Sequence, residues 1–277
     1  MNNIIMTWPD FKFKALTLSY DDGVTTDRRF IKLIDKYGIK ATFHLNSMLY
    51  GKGGEVFPKG QFGRLSRDEA TALYKDSGHE IAAHTLHHKL MTELSNEEAY
   101  REIFEDKRNL EMQFGGIIRG MAFPMGGISD ELEKIAKECG MVYAKISNSS
   151  LDYQIPQNWL RLKATCSHSH PRFKELYEAF IEKTSNSAEL FFLRGHSYEF
   201  EQSDNWELIE EFCEKIGARD DIWYATNIEV FDYITAYRNL QYSANMDMIH
   251  NPSAIPVYVT VNGNNTVIGG GETVKIS

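Results

Sequence analysis

The feature that most constrains this chain is an alternation of two kinds of segment. From residue 16 to residue 240, short apolar runs rich in β-branched and aromatic residues trade places with amphipathic stretches. The first run, Leu16-Thr17-Leu18-Ser19-Tyr20, precedes a helical spacing of Phe30, Leu33, Ile34 and Tyr37 that Gly38 closes. Strands are predicted at 41–46, 80–84, 117–123, 141–146 and 189–193, with strand-like runs at 159–165 and 222–226. Helices are predicted between them at 66–78, 95–114, 129–139, 171–183, 204–216 and 228–240. Ser66 and Ser95, each followed three residues later by Glu, open two of these helices as capping boxes. Such alternation needs crossover connections, which bury both faces of a parallel sheet. The expectation is an α/β fold of about seven parallel strands, at a length that suits a barrel.

Beyond residue 240 the pattern changes. Residues 255–261 alternate, Asn262-Gly263 is a turn-forming pair, and 273–276 is again strand-like, which predicts a β-hairpin. The chain is thus expected to divide into a catalytic domain, 1–240, and a C-terminal β-hairpin extension, 241–277. The glycine-rich segment 50–63 and the polar segment 147–158 read as loops.

A net charge of −9 with no basic stripe argues against a nucleic-acid partner. No apolar span approaches the length that crosses a membrane, and the N-terminal residues lack a secretory pattern, so a cytoplasmic location is expected. Cys139, Cys166 and Cys213 are widely separated with no C-x-x-C pair, which fits a reducing compartment and argues against a disulfide framework and a Cys-based metal site.

Titratable residues gather where apolar runs stop. Asp21-Asp22-Gly23 ends the first run, and Gly23 permits the turn that lets two adjacent carboxylates serve one site. His84-Thr85-Leu86-His87-His88 follows the strand at 80–84, and histidines four apart share one face of a helical turn, making His84 and His88 a natural ligand pair. Two imidazoles and one carboxylate make an open divalent-metal site at parallel strand ends. Phe191-Phe192-Leu193-Arg194-Gly195-His196 is a third strand ending on a titratable group. Phe123-Pro124-Met125-Gly126 marks a sharp turn where a backbone N–H can face a substrate.

These motifs together resemble the polysaccharide deacetylases of the NodB-homology group, carbohydrate esterase family 4, over residues 15–240. The resemblance implies a distorted (β/α) barrel. It implies Asp21 as catalytic base, Asp22, His84 and His88 as metal ligands, His87 as a bystander, His196 as general acid, and the backbone N–H of Met125 as an oxyanion donor. Zinc is the implied metal, and a His2Asp site also accepts cobalt, nickel or manganese. The implied substrate is an N-acetylated sugar, oligosaccharide or glycan, with release of acetate from N-linked or O-linked groups. Two places depart from the family pattern. Ala122 stands where an arginine is usual, with Arg119 nearby, and the Asp-Trp element has only Asp152 and Trp159 as candidates.

His168 and His170 read as loop residues, His44, His79 and His250 as structural, and Tyr20, Trp159, Tyr198 and Trp206 as either sugar platforms or core. Two competing functions remain: hydrolysis of another small amide, such as a ureide or cyclic imide, and carbohydrate binding without turnover.

Overall fold

The computed structural model describes residues 2–276. In chain order, strand β1 (Ile4–Thr7) precedes β2 (Lys14–Asp21), α1 (Asp27–Lys36), β3 (Ala41–Leu45), α2 (Arg67–Tyr74), β4 (Glu80–Ala83), α3 (Asn96–Phe114) and β5 (Gly120–Ala122). Then follow α4 (Asp130–Glu138), β6 (Tyr143–Ser149), β7 (Leu162–Ala164), β8 (Cys166–Ser167), α5 (Phe173–Glu182) and β9 (Glu189–Gly195). Helices α6 (Tyr198–Gln202) and α7 (Trp206–Ile216), strand β10 (Ile222–Tyr224) and helix α8 (Asn227–Arg238) complete the alternating part. Both serine capping boxes form, at Ser66 and Ser95, and a third opens α8 at Thr226.

All pairings from β2 to β10 are parallel. Strand β2 lies at the centre: β9 pairs along most of it, while β3 and β10 share its other side, at its C-terminal and N-terminal halves respectively. The sheet closes because β7 pairs with β6 and the adjoining β8 pairs with β9. The result is a distorted (β/α) barrel, as the alternation predicts; its sheet has nine strands, including the two-residue β8 and the three-residue β10.

Alternation along the strands sorts their side chains into two layers. Leu16, Leu18, Tyr20, Phe43, Phe191 and Leu193 pack under the helices. Ala15, Tyr143, Leu162, Ala164, Leu190 and Phe192 form a separate buried cluster within the barrel. Toward the C-terminal strand ends that inner layer turns polar, with buried Asp21, His44, His84 and Lys145. In barrels of this kind the C-terminal face is where catalytic groups are held.

The boundaries differ from expectation in instructive ways. Helix α2 stops at Tyr74, four residues before Gly78. The strand predicted at 117–123 keeps only Gly120–Ala122, and the run at 159–165 opens with a 3-10 turn, Trp159–Arg161, before β7. Strand β6 continues to Ser149, into the segment read as loop.

The C-terminal residues hold β11 (Gln241–Tyr242), β12 (Met248–His250), β13 (Val257–Val261), β14 (Asn264–Ile268) and β15 (Thr273–Lys275). The predicted hairpin forms around Asn262 and Gly263, both at positive φ, but its second strand is β14; residues 273–275 pair with β12 instead. Strand β1 pairs with β13, so one small sheet joins the two ends of the described chain.

Candidate metal and acid–base site

Strand β2 delivers Asp21 as its last residue, after which Asp22 and Gly23 take positive φ of 87° and 65°. That left-handed step swings the second carboxylate toward the cleft the first already faces; a hydrogen bond from Asp22 N–H to the His44 carbonyl, 2.9 Å, fixes it.

The segment 84–88 is not helical. Thr85 and His88 lie at φ of 66° and 54°, because the backbone is pinned by helix α3 rather than by its own turn. Asp106 accepts from His84 N at 2.9 Å and from Ser47 N at 2.7 Å. Glu102 accepts from His87 N at 2.8 Å and engages His87 Nδ1 at 2.9 Å, which turns His87 away from the cleft. The expected pairing of His84 and His88 survives this change of geometry, with ring centroids 4.8 Å apart.

Asp22, His84 and His88 offer ligand atoms that all lie within 4.8 Å of one another. His84 Nδ1 donates to the Ala122 carbonyl at 2.8 Å, which leaves the Nε2 lone pair for the cluster. Burial drops the His84 pKa to about 4 despite Asp21 and Asp22, so the ring is neutral at physiological pH. A carboxylate and imidazole lone pairs converging in a buried corner suit a divalent cation. Arg64 Nη2 donates to Asp22 Oδ1 at 2.8 Å and orients it.

Asp21 is held from several sides. Lys145 Nζ donates to both of its oxygens, at 2.6 and 2.8 Å, and His44 Nδ1 lies 3.0 Å away. Burial pushes the carboxyl pKa up, but Lys145, His84 and His44 outweigh it and hold Asp21 well below the ordinary carboxylate range. Arg119 does not take this role; it forms a two-pronged ion pair with Asp232 at 2.8 and 2.9 Å. The cation comes instead from β6, and Lys145 is the direct register partner of Ala122 in the parallel pair. Directly paired residues project to the same face of a sheet. A cation at 122 or at 145 therefore approaches Asp21 from adjacent strands. Lys145→Met is expected to lower turnover by about a hundredfold or more, because a misplaced catalytic group costs on that order. Ala122→Arg added to it is expected to recover part of the loss in the same acetate-release assay.

His196 follows β9, with Nε2 3.9 Å from Asp22 Oδ2 and 4.0 Å from Asp21 Oδ2. Its Nδ1 meets Glu199 Oε1 at 3.1 Å. Burial lowers the His196 pKa, but Glu199, Asp21 and Asp22 outweigh this and raise it. Met125, at φ of 55° in the tight turn after Pro124, lines the same cleft.

The remaining candidates fall elsewhere. Asp152 is exposed and Trp159 packs edge-on against Phe231, so neither reaches the site. Tyr20 and Trp206 are buried core, and Tyr198 has Phe62 stacked on one side at 4.2 Å and His196 on another at 5.0 Å. Of these four aromatic residues, Tyr198 alone lines the cleft, with Phe62 and His196 against it. Composition and spacing give no sign of Lys145, Arg64 or Glu199; the only hint of Lys145 is a charge inside the apolar run 141–146.

The described residues thus form a parallel α/β barrel that gathers carboxylate and imidazole groups at the C-terminal ends of its strands. Residues 9–144, just under half of the chain, match the family model described as Polysaccharide deacetylase; the matched segment holds Asp21, Asp22, His84, His88 and Met125 and ends before His196. Chitin deacetylase 1 of Cryptococcus neoformans var. grubii is 26% identical over 173 residues, 60% of this chain and 34% of its own length. The chain thus spans about a third of that curated relative. Among solved structures, a Mycobacterium smegmatis protein assigned to the polysaccharide deacetylases superposes with a TM-score of 0.61 at 14% identity, covering 84% of this chain and 94% of its own. A family 4 carbohydrate esterase from Streptomyces lividans, in complex with acetate, gives 0.52 at 13% identity, covering 77% and 93%. These superpositions establish the shared fold.

Proposed function

We propose that the chain is a metal-dependent hydrolase that removes acetyl groups from an N-acetylated sugar or glycan. The observation that carries this reading is the convergence of Asp22, His84 and His88 within 4.8 Å beside a separately held acid–base pair, Asp21 and His196. Asp22, His84 and His88 would hold a divalent cation, zinc first among those this donor set accepts. When bound, such an ion acidifies water and polarises a carbonyl.

The chain's own residues supply the rest. Asp21, kept ionised by Lys145, accepts the proton of the attacking water; its low pKa makes it a base only for water already acidified. The backbone N–H of Met125 donates to the tetrahedral oxyanion. His196 carries a proton on the side facing Asp21 and Asp22 and gives it to the departing amine. The products are acetate and a free amino sugar. Among the described residues no helix is long and apolar enough to cross a membrane.

Acetate release from a panel of N-acetylated monosaccharides, chito-oligosaccharides and peptidoglycan fragments tests the reading. Release from at least one, dependent on added divalent metal, is expected. Release from none with metal bound would refute it, and turnover of a ureide or cyclic imide instead would move the activity to another amide class.

A further inference from the structure

His168 falls in the segment after β8 that the sequence suggests is loop, yet it is 3% exposed. Its Nδ1 lies 3.1 Å from the Tyr20 hydroxyl, and its Nε2 lies 2.6 Å from Glu199 Oε2. The other oxygen of the same carboxylate, Oε1, meets His196 Nδ1. One glutamate therefore bridges a buried imidazole and the imidazole beside Asp21 and Asp22.

The hydrogens along this chain have one consistent arrangement. A buried phenol donates its O–H to His168 Nδ1, so the ring proton sits on Nε2, the atom 2.6 Å from Glu199 Oε2. Glu199, an ionised acceptor, takes the hydrogen bond of His196 Nδ1 at one oxygen and is in close polar contact with His168 Nε2 at the other. His196 then has Nδ1–H committed to Glu199, and Nε2 is the atom presented to the cleft. Burial also favours neutral His168, lowering its pKa more than Glu199 raises it.

The surrounding packing is built around the His168 ring. A Cβ on Gly195 would lie 2.1 Å from His168 Nδ1, so the glycine in Arg194-Gly195-His196 leaves the room the imidazole occupies. Phe200 covers the ring at 4.1 Å between centroids. The need for support is evident from Glu199 itself, which sits on the five-residue helix α6 with about a third of its side chain exposed. Held at one oxygen only, that side chain is free to turn toward water.

We infer that His168 is a positioning residue: it fixes Glu199, and through Glu199 it fixes the ring of His196 with Nε2 toward the cleft. The inference rests on the proposed role of His196 as proton donor. It extends that role to a residue that touches neither substrate nor metal ligands.

The test compares His168→Leu, which keeps bulk and removes the donor, with His168→Gln, which can place an N–H near Glu199. With tri-N-acetylchitotriose as substrate, His168→Leu is expected to lower kcat about tenfold or more with KM unchanged, because outer hydrogen-bond partners contribute on that order. His168→Gln is expected to regain most of it. Glu199→Gln should lower kcat on its own, and adding His168→Leu should lower it no further, since both act on one contact. A second readout does not depend on turnover: the His196 Nδ1–H proton resonance, assigned by its absence from His196→Asn, should persist in wild type and His168→Gln and vanish in His168→Leu. Should His168→Leu fail to fold, Tyr20→Phe, which removes only the hydroxyl, is expected to weaken that resonance and lower kcat several-fold. An unchanged resonance and kcat in His168→Leu, additive losses with Glu199→Gln, or equal losses in the Leu and Gln variants would overturn the inference. If the wild type does not turn over the trisaccharide, the deacetylase reading loses support while the resonance still decides the role of His168.

Discussion

Replacing Asp21 by Asn is expected to reduce acetate release by about 10²- to 10⁴-fold, the range a positioned general base supplies. The shape of the side chain is kept and its capacity to accept a proton is removed, so KM should change little. Metal content should stay at wild-type level, because the proposed ligands are Asp22, His84 and His88 and Asp21 is outside that cluster. The substitution also leaves Lys145 buried opposite a neutral amide, and breaking a buried ion pair from one side costs about 3–5 kcal/mol. Asp21→Asn is therefore expected to melt below the wild type. Adding Lys145→Met should recover stability without recovering turnover, which separates loss of the base from loss of the fold. Wild-type rates in a folded Asp21→Asn protein would remove Asp21 from the reaction.

The double variant His84→Ala, His88→Ala is expected to lose both bound metal and turnover. Each imidazole contributes a lone pair to the cluster, and the remaining carboxylate of Asp22 is partly engaged by Arg64. A ligand at a hundred times its dissociation constant stabilises the folded state by about 2.7 kcal/mol. Added zinc should accordingly raise the melting temperature of the wild type and leave the double variant unmoved. Metal retained at one equivalent by the variant would show that the ligands lie elsewhere.

Much of the site is legible in the sequence because its main groups sit at strand ends, where an apolar run stops on a titratable residue. Asp21, Asp22 and His196 stand at such ends, and their combination with His84 and His88 makes them site candidates where each alone reads as an ordinary turn or strand end. Capping boxes at Ser66 and Ser95 are equally local, since a side chain answers a backbone amide three residues away. What escapes the sequence depends on contacts between distant segments. Lys145 reaches Asp21 across 124 positions, and His168 reaches Tyr20 across 148. The spacing of His84 and His88 suggests a helical turn, but Asp106 and Glu102, on a helix still to come in the chain, impose left-handed residues instead. The partner of the C-terminal hairpin is misread for a related reason: after Asn262-Gly263 the polar residues 264–266 give no apolar signal, yet register with β13 makes them a strand.

The measurement that tests the central claim most directly is a metal titration of the chelator-stripped protein, following bound zinc and acetate release from N-acetylated chito-oligosaccharides together. The site described here predicts that both rise in parallel and level off at one ion per chain, and that neither rises in His84→Ala, His88→Ala. Full acetate release from the stripped protein, or zinc binding at one equivalent with no release from any N-acetylated substrate, would contradict it.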